Sequence, residues 1–221
     1  YQGDYGDEAW FMDGRYEGMV FDKPFGMGMF SFLWGHDDGT ANGAENTFYG
    51  ARVRFNFNEQ FSMGLNAFIR DYESPYAFGY TALFPAGSLT KWQTYWIDLG
   101  FNFTPDVALR GMYAMNKYDW NVATYPALAL LDDSPKAFKV LVDVNQNALK
   151  FTSLWLEYGK LDANFATHNN PFSYGEQSQS RAYFGAPFSM SGPAFLIDNP
   201  LRAVEMSYWF AFAEQKWNDQ F

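Results

Sequence analysis

The chain has 221 residues, a net charge of −10 and no cysteine. The acidic balance argues against nucleic acid as a partner, and the missing thiols exclude disulfide stapling. Aromatic residues make up 21% of the chain at a mean hydropathy of only −0.32, yet no apolar run approaches the ~20 residues a membrane helix needs.

The aromatics follow a period of two, which is the signature of strands with two different environments. Residues 10–20 set Trp10, Met12, Tyr16 and Val20 against Asp13, Arg15 and Glu17. Asp22-Lys23-Pro24 reads as the turn that follows. Residues 25–34 are strand-like without a clear polar face, because Met27, Met29 and Leu33 oppose Phe30, Phe32 and Trp34. The clearest pair comes next. Tyr49, Ala51, Val53, Phe55 and Phe57 oppose Gly50, Arg52, Arg54 and Asn56. After Asn58-Glu59-Gln60, Phe61, Met63, Leu65, Ala67 and Ile69 oppose Ser62, Gly64, Asn66, Phe68 and Arg70.

Further along, Tyr95, Ile97, Leu99, Phe101 and Phe103 oppose Thr94, Trp96, Asp98, Gly100 and Asn102. Val107, Leu109, Tyr113 and Met115 oppose Ala108, Arg110, Met112, Ala114 and Asn116. Phe138, Val140, Val142 and Val144 oppose Lys139, Leu141, Asp143 and Asn145. Leu154, Leu156 and Tyr158 oppose Ser153, Trp155, Glu157 and Gly159. Last, Val204, Met206, Tyr208, Phe210 and Phe212 oppose Glu205, Ser207, Trp209, Ala211 and Ala213. These make about nine strands near the ~9–11 residues of a tilted membrane strand.

Connections alternate between short and long. The short ones lie at 22–24, 58–60, 104–106, around 145–147 and at 214–218; the long ones cover roughly 35–46, 73–91, 117–136 and 161–200. Short turns on one rim and long loops on the other is the layout of an outer-membrane barrel. Pairing Phe57 with Phe61 sets Arg54 opposite Gly64 and Arg52 opposite Asn66. Pairing Phe103 with Val107 sets Gly100 opposite Arg110. In both hairpins a glycine would leave room for a guanidinium along the wall. Phe57, Phe61 and Phe103 would mark one membrane interface, with Tyr49, Tyr95 and Tyr113 toward the other.

The fold expected is therefore all-β: a transmembrane antiparallel up-and-down β-barrel, with residues 1–221 forming one domain. The segment 210–221 repeats the strand–turn–strand onset of 55–61, and a ninth strand cannot close an even-numbered barrel, so the chain reads as a fragment of a longer barrel.

With Ser153-Leu154-Trp155-Leu156-Glu157-Tyr158-Gly159-Lys160 and the hairpins over 49–70 and 95–116, the chain resembles the barrel of bacterial general porins. It is most similar to the S-layer-homology porins, often called OmpM-like. That resemblance implies a bacterial outer-membrane location among membrane lipid and lipopolysaccharide. It also implies a homotrimeric diffusion channel for small hydrophilic solutes. Residues 1–221 hold neither the N-terminal periplasmic domain that grips the cell wall in such porins nor the full set of strands, so the resemblance carries over no tethering and leaves the strand total open.

No chemistry is expected. His36 and His168 stand in expected loops with no second ligand at zinc spacing. No nucleophile elbow or phosphate-binding glycine loop occurs, and the acidic run 36–45 lacks calcium-loop spacing. No catalytic residue, metal or cofactor is therefore assigned. The residues expected to line a pore are Arg52, Arg54, Arg70, Asp98, Arg110, Lys139, Asp143, Glu157 and Glu205. They read either as polar lining stiffened by ion pairs or as a transverse field, basic on one wall and acidic on the other. The longest connection, 161–200, is expected to narrow the pore or pack on a neighbouring subunit. The alternative to a channel is a soluble secreted β-sandwich that stacks carbohydrate on its Trp and Tyr. A barrel lipase is a third reading, which the sparse histidines disfavour.

Overall fold

The computed structural model describes residues 2–4, 13–15, 17–37, 46–72, 89–124, 126–130, 132–162, 165 and 205–215. A short pair, β1 (Gln2–Asp4) and β2 (Asp13–Arg15), forms a two-stranded sheet of its own. The rest is one sheet: β3 (Glu17–Phe25), β4 (Gly28–Asp37), β5 (Asn46–Asn56), β6 (Phe61–Tyr72), β7 (Leu89–Thr104), β8 (Val107–Trp120), β9 (Lys136–Val144), β10 (Ser153–Leu161) and β11 (Met206–Glu214). All nine strands pair antiparallel with their sequence neighbours, and the sheet is an open up-and-down meander. The chain is thus all-β, as its alternation requires.

The hairpin registers follow from the turn chemistry. At the β5–β6 turn the Asn58 side chain accepts from the backbone N–H groups of Gln60 (2.8 Å) and Phe61 (2.7 Å). Phe57 N–H then closes on Phe61 C=O at 3.0 Å, and Arg54 falls opposite Gly64 with Arg52 opposite Asn66, as expected. In β7–β8, Gly100 stands opposite Arg110. Past Asn102 the ladder shifts by one residue, so Thr104 rather than Phe103 meets Val107. That extra residue makes a bulge beside the Pro105-Asp106 turn.

Several boundaries differ from expectation. Asp22-Lys23-Pro24 lies inside β3, and the turn is Gly26-Met27. Pro24 is tolerated because β3 is an edge strand, where a missing N–H breaks no interior ladder. The strands also run further into the long connections: β7 begins at Leu89 and β8 ends at Trp120. Thr94, Asn116 and Tyr118 explain this extension. The Thr94 hydroxyl donates to Asn116 Oδ1 at 2.7 Å, and Asn116 Nδ2 donates to Tyr118 Oη at 2.8 Å, all buried. The expected turn around 145–147 contains a single helical turn, α1 (Gln146–Leu149), ended by Lys150 in the left-handed region at φ 71°.

One face of the sheet is buried, with no second layer over it among the described residues; it is called the concave face below, and the opposite, more exposed face the convex one. Leu33, Phe48, Phe68, Trp96, Met112, Ala114 and Ala137 form the concave apolar core, with Val20 of β3 packed against it. The convex face is the reverse. Phe21, Phe32, Trp34, Leu65, Leu99, Phe103, Val140 and Leu156 are all exposed there. Residues 25–34 now take a definite sense, with Ser31 and Leu33 inward and Phe32 and Trp34 outward. Phe165, which follows β10 at the start of the longest connection, also packs against this core. The remainder of that connection, like residues 10–12, lies outside the described residues.

Candidate functional site

Burial sets the two faces apart: buried charges share the concave face with the apolar core, while the convex face exposes large apolar side chains. Three adjacent rows of directly opposed residues carry most of the charge. The first runs Arg52, Asn66, Trp96, Ala114, Ala137; the next Arg54, Gly64, Asp98, Met112, Lys139; the third Ser62, Gly100, Arg110, Leu141, Glu157. Directly opposed residues share a face, so six of the nine expected residues, Arg52, Arg54, Asp98, Arg110, Lys139 and Glu157, converge here with the parity expected.

Asp98 is the centre of one group. It is 3% exposed, lies 3.3 Å from Arg52 Nη2 and accepts a 2.6 Å hydrogen bond from Asn66 Nδ2. Asn66 Nδ2 also reaches the Trp96 carbonyl at 3.3 Å. Lys139 and Glu157 make the second group, 3.5 Å apart at 2% and 0% side-chain exposure. Trp155 Nε1 donates to the same Glu157 oxygen at 3.3 Å. A charge this deep persists only when paired and hydrogen-bonded, and both carboxylates meet that condition.

The glycines in these rows hold open the space the charges need. A Cβ on Gly100 would sit 3.0 Å from Arg110 Nη1, as expected of a glycine beside a guanidinium. At Gly64 the occupant differs: the carboxylate of Asp98, not the Arg54 side chain, fills the space. The cause is that Asp98 and Arg54 flank Gly64 from opposite sides in one row, and Asp98 turns toward Asn66 and Arg52.

The remaining expected residues are placed as follows. Arg54, Arg70, Arg110 and Asp143 are half-buried on the concave face; Arg70 stands opposite Phe48 and Trp92, and Asp143 opposite Ala108 and Trp155. Glu205 does not join them. It is exposed ahead of β11 and pairs with Lys160 at 2.9 Å. The whole of β11 has the opposite sense to that expected: Trp209 lies opposite Tyr158 and Ala211 opposite Leu156 on the convex side, while Phe212 faces Trp155. The Trp209 and Tyr158 rings are 4.7 Å apart, with Trp209 80% exposed. With aromatics at both parities and alanines between them, this segment holds no sequence signal that fixes its face.

Nor are the charges divided into a basic and an acidic wall. Arg54, Asp98 and Lys139 alternate on β5, β7 and β9 of a single row, and the pairs run along the wall. His36 is in β4 opposite Glu17 and Thr47, not in a loop, and His168 lies outside the described residues. Among the described residues no group of three His, Cys, Asp or Glu is placed to hold a metal. Sequence reasoning assigned no role to Asn66 and Trp155, although both sit in the alternation beside charged neighbours. No protein family, characterised protein or solved structure matches the chain.

Proposed function

We propose that this chain forms part of the wall of a bacterial outer-membrane β-barrel channel that passes small hydrophilic solutes by diffusion. The observation that carries the reading is the inverted burial: Lys139 and Glu157 are nearly inaccessible while Leu65, Leu99, Val140 and Trp209 are exposed on the opposite face. In water that arrangement is unfavourable on both counts. In a bilayer the apolar convex face meets lipid, and the backbone groups of the seven interior strands are satisfied by their neighbours on both sides.

The distribution of convex aromatics supports the same reading. Phe57 and Phe103 mark the turn ends of the β5 and β7 segments, while Tyr49 and Tyr95 stand eight residues away on the same faces. Eight residues span about 26 Å along a strand, or roughly 20 Å of depth at a typical ~40° tilt. Two aromatic tiers at that separation suit two interfaces, whereas carbohydrate stacking calls for one groove.

The function requires no catalytic group. Arg52–Asp98 and Lys139–Glu157 brace the wall, and the concave side chains set the size and charge of what passes. The test uses the full-length protein: membrane fractionation, heat-dependent gel mobility, then planar bilayers. Folded protein is expected to give stepwise conductance. Solubility without detergent, or a silent bilayer, would reject the channel.

A further inference from the structure

The two charged groups of the concave face stand on either side of Met112. Asp98 of β7 and Lys139 of β9 lie in one row with Met112 of β8 between them, and Arg110 of the next row flanks the same spot. A small cavity lies where they meet. Its volume is about 10 Å³, the room that one water molecule takes. Asp98, Arg110 and Lys139 line it as charged side chains, and Leu99, Met112 and Leu141 as apolar ones.

A cavity of this size stays dry when its lining is apolar throughout, and takes up water when about two to four polar groups converge on it. Here an acceptor and donors converge. The Asp98 carboxylate receives Arg52 at 3.3 Å and Asn66 at 2.6 Å, within the about four bonds that a carboxylate can accept. Lys139 and Arg110 are donors only. The Glu157 oxygen 3.5 Å from Lys139 also receives Trp155 Nε1, so that oxygen is shared. Neither Asp98 nor Lys139 has to lack another protein partner. What matters is that their lone pairs and N–H groups meet at a volume of one water, in low-dielectric surroundings where each such bond is strong.

We infer that this cavity holds one structural water. It donates to the Asp98 carboxylate and accepts from Lys139 and Arg110, about the three bonds usual for a buried water. Its effect is to join the two charged groups into one belt. The belt runs from Arg52 and Asn66 through Asp98 to the water, and on through Lys139 to Glu157 and Trp155. It crosses β5 to β10, with Arg110 as the β8 contact. The site is internal to the wall and does not depend on whether the barrel conducts.

The test is a crystal structure of the full-length protein at a resolution that shows ordered water, set beside that of Lys139→Met with Glu157→Leu. The wild type is expected to show one water within about 3.2 Å of both an Asp98 oxygen and Lys139 Nζ. In the double variant that water is expected to be lost, because the ammonium that held it is gone. Oxygen-17 relaxation dispersion on the same two proteins in detergent should count one fewer long-lived water in the variant. An empty cavity in the wild type, a cavity filled by Met112 or Leu141, or a water that survives in the double variant overturns the inference and leaves the channel standing. Should the double variant fail to fold, the wild-type structure decides alone.

Discussion

Gly64 lies so close to Asp98 that a Cβ on the glycine would fall 2.6 Å from the carboxylate carbon. The missing side chain on β6 is what allows a carboxylate on β7 to lie against the wall and reach Arg52 and Asn66. Gly64→Ala should therefore force Asp98 to rotate and give up contacts to both, at a cost of about 1–3 kcal/mol. Urea unfolding from lipid vesicles measures it. Gly26→Ala, with open space around it, is the control and should match wild type. Equal stability of both variants would mean that Asp98 has room to spare.

The Lys139–Glu157 pair makes a non-additive prediction. Lys139→Met leaves Glu157 charged at 0% exposure, and loss of one partner of such a pair costs about 3–5 kcal/mol. Replacing both, as Lys139→Met with Glu157→Leu, removes the stranded charge and should recover most of that loss. A double variant as unstable as the sum of its two singles would contradict the pairing.

Leu65 tests the environment of the convex face directly. It is 44% exposed at the middle of β6. In a bilayer, Leu65→Arg should cost about 2–4 kcal/mol near the midplane. On a water-facing surface the same change would stay within about 0.5 kcal/mol. Folding titrations into vesicles separate the two values, and the smaller one would take the strand out of the membrane.

Tryptophan emission reports which face meets lipid. Trp209 is 80% exposed, while Trp96 and Trp155 are buried on the concave side. Brominated acyl chains should quench Trp209, and Trp209→Phe should remove much of the quenching. Quenching that survives this substitution unchanged would show that β11 does not present Trp209 to lipid.

Much of the wall was legible in the sequence because alternation and turn length together fix register. Asn58 caps its own turn, so the opposition of Arg54 and Gly64 could be counted from the chain alone. The reading failed where one of those two constraints was missing. Pro24 looks like a turn residue, but a two-residue turn at Gly26-Met27 and an edge position let it stay in a strand. Phe210, Phe212 and Trp209 put aromatics at both parities, so only pairing with Tyr158 and Trp155 decides the sense of β11. The interleaved ion pairs were hidden for a different reason. Arg52 and Asp98 are 46 residues apart in sequence, and which charge meets which depends on three strands lying side by side.

Because the meander has nine antiparallel members among the described residues, its outermost described strands β3 and β11 point the same way. Joined directly, they would have to form a parallel ladder, the weaker pairing per residue. One intervening strand would complement both rims at once in the antiparallel sense. In hydrocarbon this parity carries an energy, since each backbone group left facing lipid costs several kcal/mol. An odd count of strands thus makes the two borders of this sheet a matched pair of templates for the same incoming direction of chain.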